Sequence, residues 1–239
     1  IVENNNKLKI RNLVLDENFR ITGFKQIKLA YLDKDKKENQ LDIVNQDNDY
    51  YLKGSNFNSN FLIQRLITND NKRKLDLFNR DFKLNIVIDK VYIDEKHEVN
   101  GLVGNLTFIK NKISEGVLNA SFSNKEKLNF TVNSNEDGKV TTFFLGRAEP
   151  IIKRYKFIKG FENGSLDFYS LDKGGNSSST LKIYDFNLKQ VPILTKILTL
   201  ASLQGIADIL SGEGITFTEF EMNYRNENNE MIIDEVYAI

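Results

Sequence analysis

The sequence predicts a mainly β fold, a long, twisted and mostly antiparallel sheet interrupted by short helical insertions. Two observations predict it. From Phe82 to Phe168 apolar and polar residues alternate with period two, and the links between runs are short and rich in turn residues. Helical spacing is confined to three stretches, near 58–67, 148–157 and 191–211. The third is the longest. Its Leu194, Ile197, Leu198 and Ala201 fall at i, i+3, i+4 and i+7, Pro192 suits a first helical turn, and Gly212 and Gly214 end the pattern before a strand near Ile215. Gly205 divides the stretch, so it reads as a C-terminal helical hairpin packed on the sheet and covered nearly all round. Lys196, Gln204 and Asp208 interrupt it too often for a membrane span.

In chain order, Leu8, Ile10 and Val14 open a strand that Asp16-Glu17-Asn18 turns into a partner at Ile21 to Leu32. The charged run Asp33 to Asn39 reads as a solvated loop, and Leu41 to Val44 and Tyr50 to Gly54 as short strands. Asn58 or Ser59 can cap a helix containing Phe61, Leu62 and Leu66. Asn69 to Asn79 is polar and is the expected place for any internal linker. Asp81 to Phe144 is a β-meander in which consecutive strands pair antiparallel, with no parallel βαβ unit expected. Gly146 to Tyr155 can hold a helix only if it starts near Pro150. Lys173-Gly174-Gly175-Asn176 then turns one strand into the next, and Asn226 to Asn229 joins the last two.

Adjacent antiparallel strands align their apolar sets or lose the benefit of burial. Twelve residues are therefore expected on one common concave side: Leu102, Leu106, Phe108, Leu118, Phe122, Leu128, Phe130, Val132, Leu166, Phe168, Leu181 and Ile183.

Composition narrows the functional classes. The 239 residues suffice for one large β domain or two small ones. Thirty-three basic residues balance thirty-three acidic ones, which gives no electrostatic case for nucleic acid as a partner. The absence of Cys removes disulfides, thiol catalysis and thiolate metal sites. The first residue is Ile and the last residues are still strand-like, so the chain reads as one segment, 1–239, of a longer protein.

Catalytic and metal chemistry finds little purchase. Asp94, Glu95 and His97 cluster, but in a turn, beside Lys96 and without a second His; a solvated hairpin turn explains them. Gly212-Glu213-Gly214 lacks the Lys and Ser/Thr of a phosphate loop. Glu219 and Glu221 share a strand face, and Arg147, Lys153 and Arg154 read as ordinary exposed charges. The expectation is a non-enzyme with no catalytic residue, no metal and no cofactor.

The C-terminal stretch resembles a signature of the AsmA-like proteins of Gram-negative envelopes, especially the C-terminal region of YhdP-type members. That signature is a strand, a helix of the form P-[IVL]-L-x-[KR]-L-L-x-L-x-S-L-x-G, then L-S-G-x-G-[IL]-x-F. The matching residues include Pro192, Leu194, Lys196, Leu198, Leu200, Ser202, Leu203, Gly205, Leu210, Ser211, Gly212, Gly214, Ile215 and Phe217. Resemblance extends upstream to about Tyr50, where Gly54, Phe57, Asn58 and Leu62 fit a G-x-x-F-[DN]-x-x-x-L turn into a helix. The resemblance implies a sheet curled into a groove with an apolar lining, which conducts phospholipid or other acyl lipid between inner and outer membrane. It implies a periplasmic location, in a protein anchored to the inner membrane through segments outside this chain, with envelope proteins as further candidate partners. The alternative is a structural or interaction module whose apolar face is a closed core and whose C-terminal helix docks a partner.

Overall fold

Apolar alternation becomes strand wherever Asn, Asp or Gly can close the turn. In the computed structural model this rule builds sixteen strands and two short helices among the described residues, which are 2–3, 6–19, 21–47, 49–67, 81–110, 112–155, 159–190, 214–228 and 230–239. The chain is mainly β and mostly antiparallel, and it divides into two compact units, Ile1–Lys139 and Val140–Ile239.

The first unit contains β1 (Val2–Glu3), β2 (Asn6–Arg11), β3 (Val14–Leu15), β4 (Ile21–Gly23), β5 (Gln26–Leu32), β6 (Glu38–Gln46) and β7 (Asp49–Asn58). Helix α1 (Asn60–Ile67) follows, then β8 (Phe82–Tyr92), β9 (Glu98–Ile109), β10 (Lys112–Phe122) and β11 (Lys127–Asn135). The main sheet runs β1-β2-β5-β6-β7-β8-β9-β10-β11, and β3 and β4 pair separately. The expected strand from Leu8 to Val14 is broken at Asn12, whose φ of 50° bends the backbone out of the sheet.

One expectation fails at β7 and β8. They pair in parallel, Tyr50 with Leu84 and Leu52 with Ile86, which makes β7–α1–β8 a parallel βαβ unit where the sequence reading allowed none. Two adjacent parallel strands need a long crossover, and residues 59–81 supply one. The start of α1 is fixed where expected. Asn58 Oδ1 accepts from Asn60 N (3.1 Å), and Ser59 donates through N (2.9 Å) and Oγ (2.8 Å) to the Tyr92 carbonyl, tying the helix to the end of β8.

The charged turn Asp33 to Asn39 is more ordered than a solvated loop. Asn39 is buried; its Nδ2 donates to Asp33 Oδ2 (3.2 Å) and its Oδ1 accepts from Asn58 N (2.7 Å). Burial alone would raise the Asp33 carboxyl, but hydrogen bonds from the Lys37 and Asp35 N–H groups and the Asn58 and Asn39 amides outweigh it and lower its pKa.

The second unit contains β12 (Gly138–Leu145), which begins at its boundary, then α2 (Glu149–Ile152), β13 (Lys159–Lys173), β14 (Asn176–Gln190), β15 (Ile215–Glu227) and β16 (Glu230–Ala238). Their order in the sheet follows the chain, and β13 to β16 pair antiparallel. Gly174 and Gly175 both have positive φ, 64° and 97°, which gives β13 and β14 the two-residue hairpin that the sequence predicts.

The helix expected over 148–157 is a single turn. Ala148, Pro150 and Ile152 are buried as α2 packs on β13, and the N–H groups of Arg154 and Tyr155 bond only three residues back, to Ile151 and Ile152, which closes the helix in a tighter turn. The helix expected over 191–211 lies outside the described residues. The described C-terminus, Ile215–Ala238, is two strands rather than a helical hairpin.

Candidate functional site

Register decides which side chains share a face, because directly paired residues point the same way. In the first unit Ile10, Ile27, Ile43, Leu52, Ile86, Gly104, Leu118 and Phe130 are paired in succession from β2 to β11. They form one apolar row running across the strands. A second row beside it takes in Leu8, Leu29, Leu41, Gly54, Ile88 and Leu102, and on β10 and β11 Ala120 lies opposite Leu128. Leu106 with Gly116 and Val132, and Phe108 with Phe82, continue the same face.

The face keeps its sense across an irregularity. Between Asn119 and Ser121 the register shifts, so that β9 has one residue more than β10. Gly101, with φ of 63°, occupies this bulge. Beyond it Val99 faces Phe122, and both are buried. All eight first-unit candidates, Leu102, Leu106, Phe108, Leu118, Phe122, Leu128, Phe130 and Val132, thus lie on one face.

Aromatic rings edge the rows. Phe24 and Tyr50 lie 5.4 Å apart, Tyr50 and Phe82 5.4 Å edge to face, and Phe82 and Phe108 stack at 4.6 Å.

The second unit builds its own face. Leu166 pairs with Ile183 and Ile183 with Phe220; Phe168 pairs with Leu181 and Leu181 with Met222. The four candidates of this unit are therefore together. Beside them Phe161, Phe186 and Phe217 form a stack, with centroids 5.2 and 5.0 Å apart and planes within 18°. The sense of the strands changes between the two groups, where Asn163 (φ 62°), Gly164 (79°) and Asp185 (53°) take left-handed conformations in facing strands. Of the signature residues, Gly214 (φ 88°) precedes β15 and Phe217 is buried in the stack. Pro192, Leu194, Leu198, Ser202, Gly205 and Gly212 lie outside the described residues.

The opposite faces are polar. In the first unit Lys9, Lys28, Asp42 and Lys53 pair in succession, and a cleft of about 630 Å³ is lined by Lys7, Lys9, Lys28, Asp42, Lys53 and Asp89 together with Leu29, Leu41 and Gly54 of the second row. In the second, Lys182 Nζ lies 2.6 Å from Glu221 Oε2, and Tyr237 OH donates to Glu221 Oε2 and Glu219 Oε1, each at 3.0 Å. Lys182, with Asn223 and Tyr237, pulls the Glu221 carboxyl down to about 2, while the hydrogen bond to Glu221, burial and Glu219 push the Tyr237 phenol up to about 12.

The turn at Asp94 is a local knot. Asp94 Oδ1 accepts from Lys96 N (2.8 Å) and His97 N (2.7 Å), and His97 Nδ1 sits 2.9 Å from both carboxylate oxygens. Among the described residues no three His, Cys, Asp or Glu side chains gather as a metal site, and no helix is long and apolar enough to cross a membrane. Arg154 Nε donates to the Pro150 carbonyl, and Lys153 pairs with Glu149, so two of the three basic residues near α2 serve their own turn.

Sequence reasoning missed much of the face. Ile10, Ile27, Ile43, Leu52 and Ile86 alternate visibly, but nothing in one sequence says which strands neighbour across the parallel crossover. No protein-family model, no curated protein and no solved structure matches the chain.

Proposed function

We propose that this chain conducts acyl lipid along the apolar faces of its sheets, by burial alone and without covalent chemistry. The observation that carries the reading is a face at once continuous across strands and incompletely buried. Seven of the twelve candidates, Leu102, Phe108, Leu118, Leu128, Phe130, Phe168 and Leu181, remain half-buried, while the other five are buried. A sealed core would exclude solvent from all of them. This favours an open face over a structural module with a closed core.

The energetics suit transfer without a cofactor. Exposing a sixteen-carbon chain to water costs on the order of 12 kcal/mol, at about 0.8 kcal/mol per methylene. Rows of Ile, Leu and Phe running across the strands lower that cost step by step, since neighbouring strands lie only about 4.8 Å apart. The resemblance to AsmA-like proteins supports the same reading and extends it. On that basis the sheet curls into a groove, the lipid is a phospholipid, and the chain works in the periplasm between two membranes, as part of a protein anchored in the inner one.

A photocrosslinking amino acid at Phe130 tests the proposal directly. Lipid adducts are expected from position 130 and not from Asn129, which pairs with Asn119 on the polar face. Phe130→Asp should abolish lipid co-purification seen by native mass spectrometry without detergent, because a carboxylate in the track raises a barrier of a few kcal/mol. Equal adducts at both positions, or none, would reduce the face to a packed core.

A further inference from the structure

The chain is neutral overall, but the first unit concentrates positive charge in one place. Its cleft of about 630 Å³ sets Lys7, Lys9, Lys28 and Lys53 against Asp42 and Asp89, four cations to two anions. Register brings the lysines together from three strands. Lys9 pairs directly with Lys28, Lys28 with Asp42 and Asp42 with Lys53, and Lys7 follows two residues along β2 on the side of Lys9. The cleft also takes in Gly54 and Ser55, where β7 carries an extra residue between the pairs Gln40–Asn56 and Leu41–Gly54. Such a bulge bends its strand, and the cleft lies at the bend.

The charges are not matched within the cleft. Asp42 is committed: Lys28 Nζ lies 2.9 Å from its Oδ2, and Gln26 Nε2 donates to its Oδ1 (2.7 Å). Lys7, Lys9, Lys53 and Asp89 have no ion pair among the described residues. Like charges directly opposite each other destabilise a strand pair, so Lys9 against Lys28 is a cost the sheet carries. In the second unit, by contrast, Lys182 lies opposite Glu221 and is held by it (2.6 Å).

Three unpaired ammonium groups less one unpaired carboxylate leave a charge of +2, which suits a dianion. An ammonium is a compact point charge, and a lining without Arg offers no planar fork for a single carboxylate. A phosphate monoester spreads close to two charges over three oxygens and can meet several lysines at once. The volume is that of a small-molecule site rather than of a lone ion, and the exposed Val87 in the lining gives a carbon body something to rest on.

We propose that this cleft binds a phosphate monoester, met by Lys7, Lys9 and Lys53. Asp42 holds Lys28 in place beside them. The proposal does not depend on lipid travelling along the apolar rows.

An NMR titration of the full chain with glycerol 3-phosphate tests it. Saturable shifts are expected at the lining lysines, with binding that weakens as salt rises. Lys9→Gln with Lys53→Gln should weaken binding by about tenfold or more. Lys125→Gln with Lys127→Gln, in the same unit but outside the lining, should leave it unchanged. Circular dichroism checks that the variants fold, and Lys7→Gln with Lys9→Gln replaces the first pair if it does not. Flotation with phosphatidic acid in phosphatidylcholine vesicles, against phosphatidylcholine alone, identifies the source of the phosphate. Capture by phosphatidic acid that is lost in the Lys9 and Lys53 variant assigns a lipid headgroup; binding of glycerol 3-phosphate without capture assigns a soluble ester. Neither binding nor capture, or binding that both lysine pairs weaken equally, would overturn the proposal.

Discussion

The two units make an apolar face by different means. The first, Ile1–Lys139, lays aliphatic rows across many strands and shifts register by inserted residues in β7, β9 and β10, the one in β9 at Gly101. The second, Val140–Ile239, uses two fifteen-residue strands, β13 and β14, and changes sense with no insertion, through left-handed residues that face each other at Asn163, Gly164 and Asp185. The surroundings differ as sharply. A Cβ added at Gly101 would meet nothing within 4 Å; one added at Gly164 would lie 2.8 Å from Phe186 Cβ and 3.0 Å from the Tyr184 carbonyl. A bulge is an isolated adjustment, whereas the paired kink and the phenylalanine stack beside it depend on each other.

Breaking the stack should have the largest effect. Phe186 is buried between two rings, so Phe186→Ala should cost about 3–5 kcal/mol. Gly164→Ala should come close behind, at about 3 kcal/mol, because a side chain there is strained by its φ and meets the Phe186 side chain. Gly101→Ala should cost only about 1–2 kcal/mol, the strain of a left-handed residue in open space. Denaturant titration gives these values, and hydrogen exchange resolved by peptide shows which unit opens. Equal losses at Gly101 and Gly164 would mean that the kink and the stack are not coupled.

The sequence made the alternation plain and with it most strands, because period two is local information that short turns preserve. Lys173 to Asn176 and the Asn58 cap were legible for the same reason: each is a local contact between near neighbours. What stayed hidden was long-range. The parallel pairing of β7 with β8 depends on a crossover of over twenty residues, which no periodicity records. The change of sense at Asn163 and Asp185 was equally hidden, because non-Gly residues with positive φ carry a weak compositional signal. The candidate face could therefore be listed strand by strand from Leu102 onward, but not extended to Ile43 or Leu52, nor joined to the Phe161 stack.

Acid gives the smallest and most selective test of the contrast between the units. In the second unit Glu221, on the polar face, is drawn from an ordinary 4.5 to about 2 by Lys182, Asn223 and Tyr237. In the first, burial would raise Asp94, but hydrogen bonds from His97 and from the N–H groups of Lys96 and His97 outweigh it and lower the carboxyl. A lowered carboxyl stabilises the fold above its unfolded pKa, and that contribution disappears as pH falls through the folded value. For Glu221 the loss should run from about pH 4.5 down to about pH 2. Glu221→Gln removes the ionisation while keeping the side-chain shape. Its melting temperature should lie below wild type at neutral pH, and the gap should close as pH falls through that window. Asp94→Asn should do the same for the first unit, with hydrogen exchange locating each loss in its own unit. A gap for Glu221→Gln that stays constant from neutral pH down to pH 2 would mean that the Lys182 pair does not couple proton binding to folding, leaving packing, not charge, as the support of that strand pair.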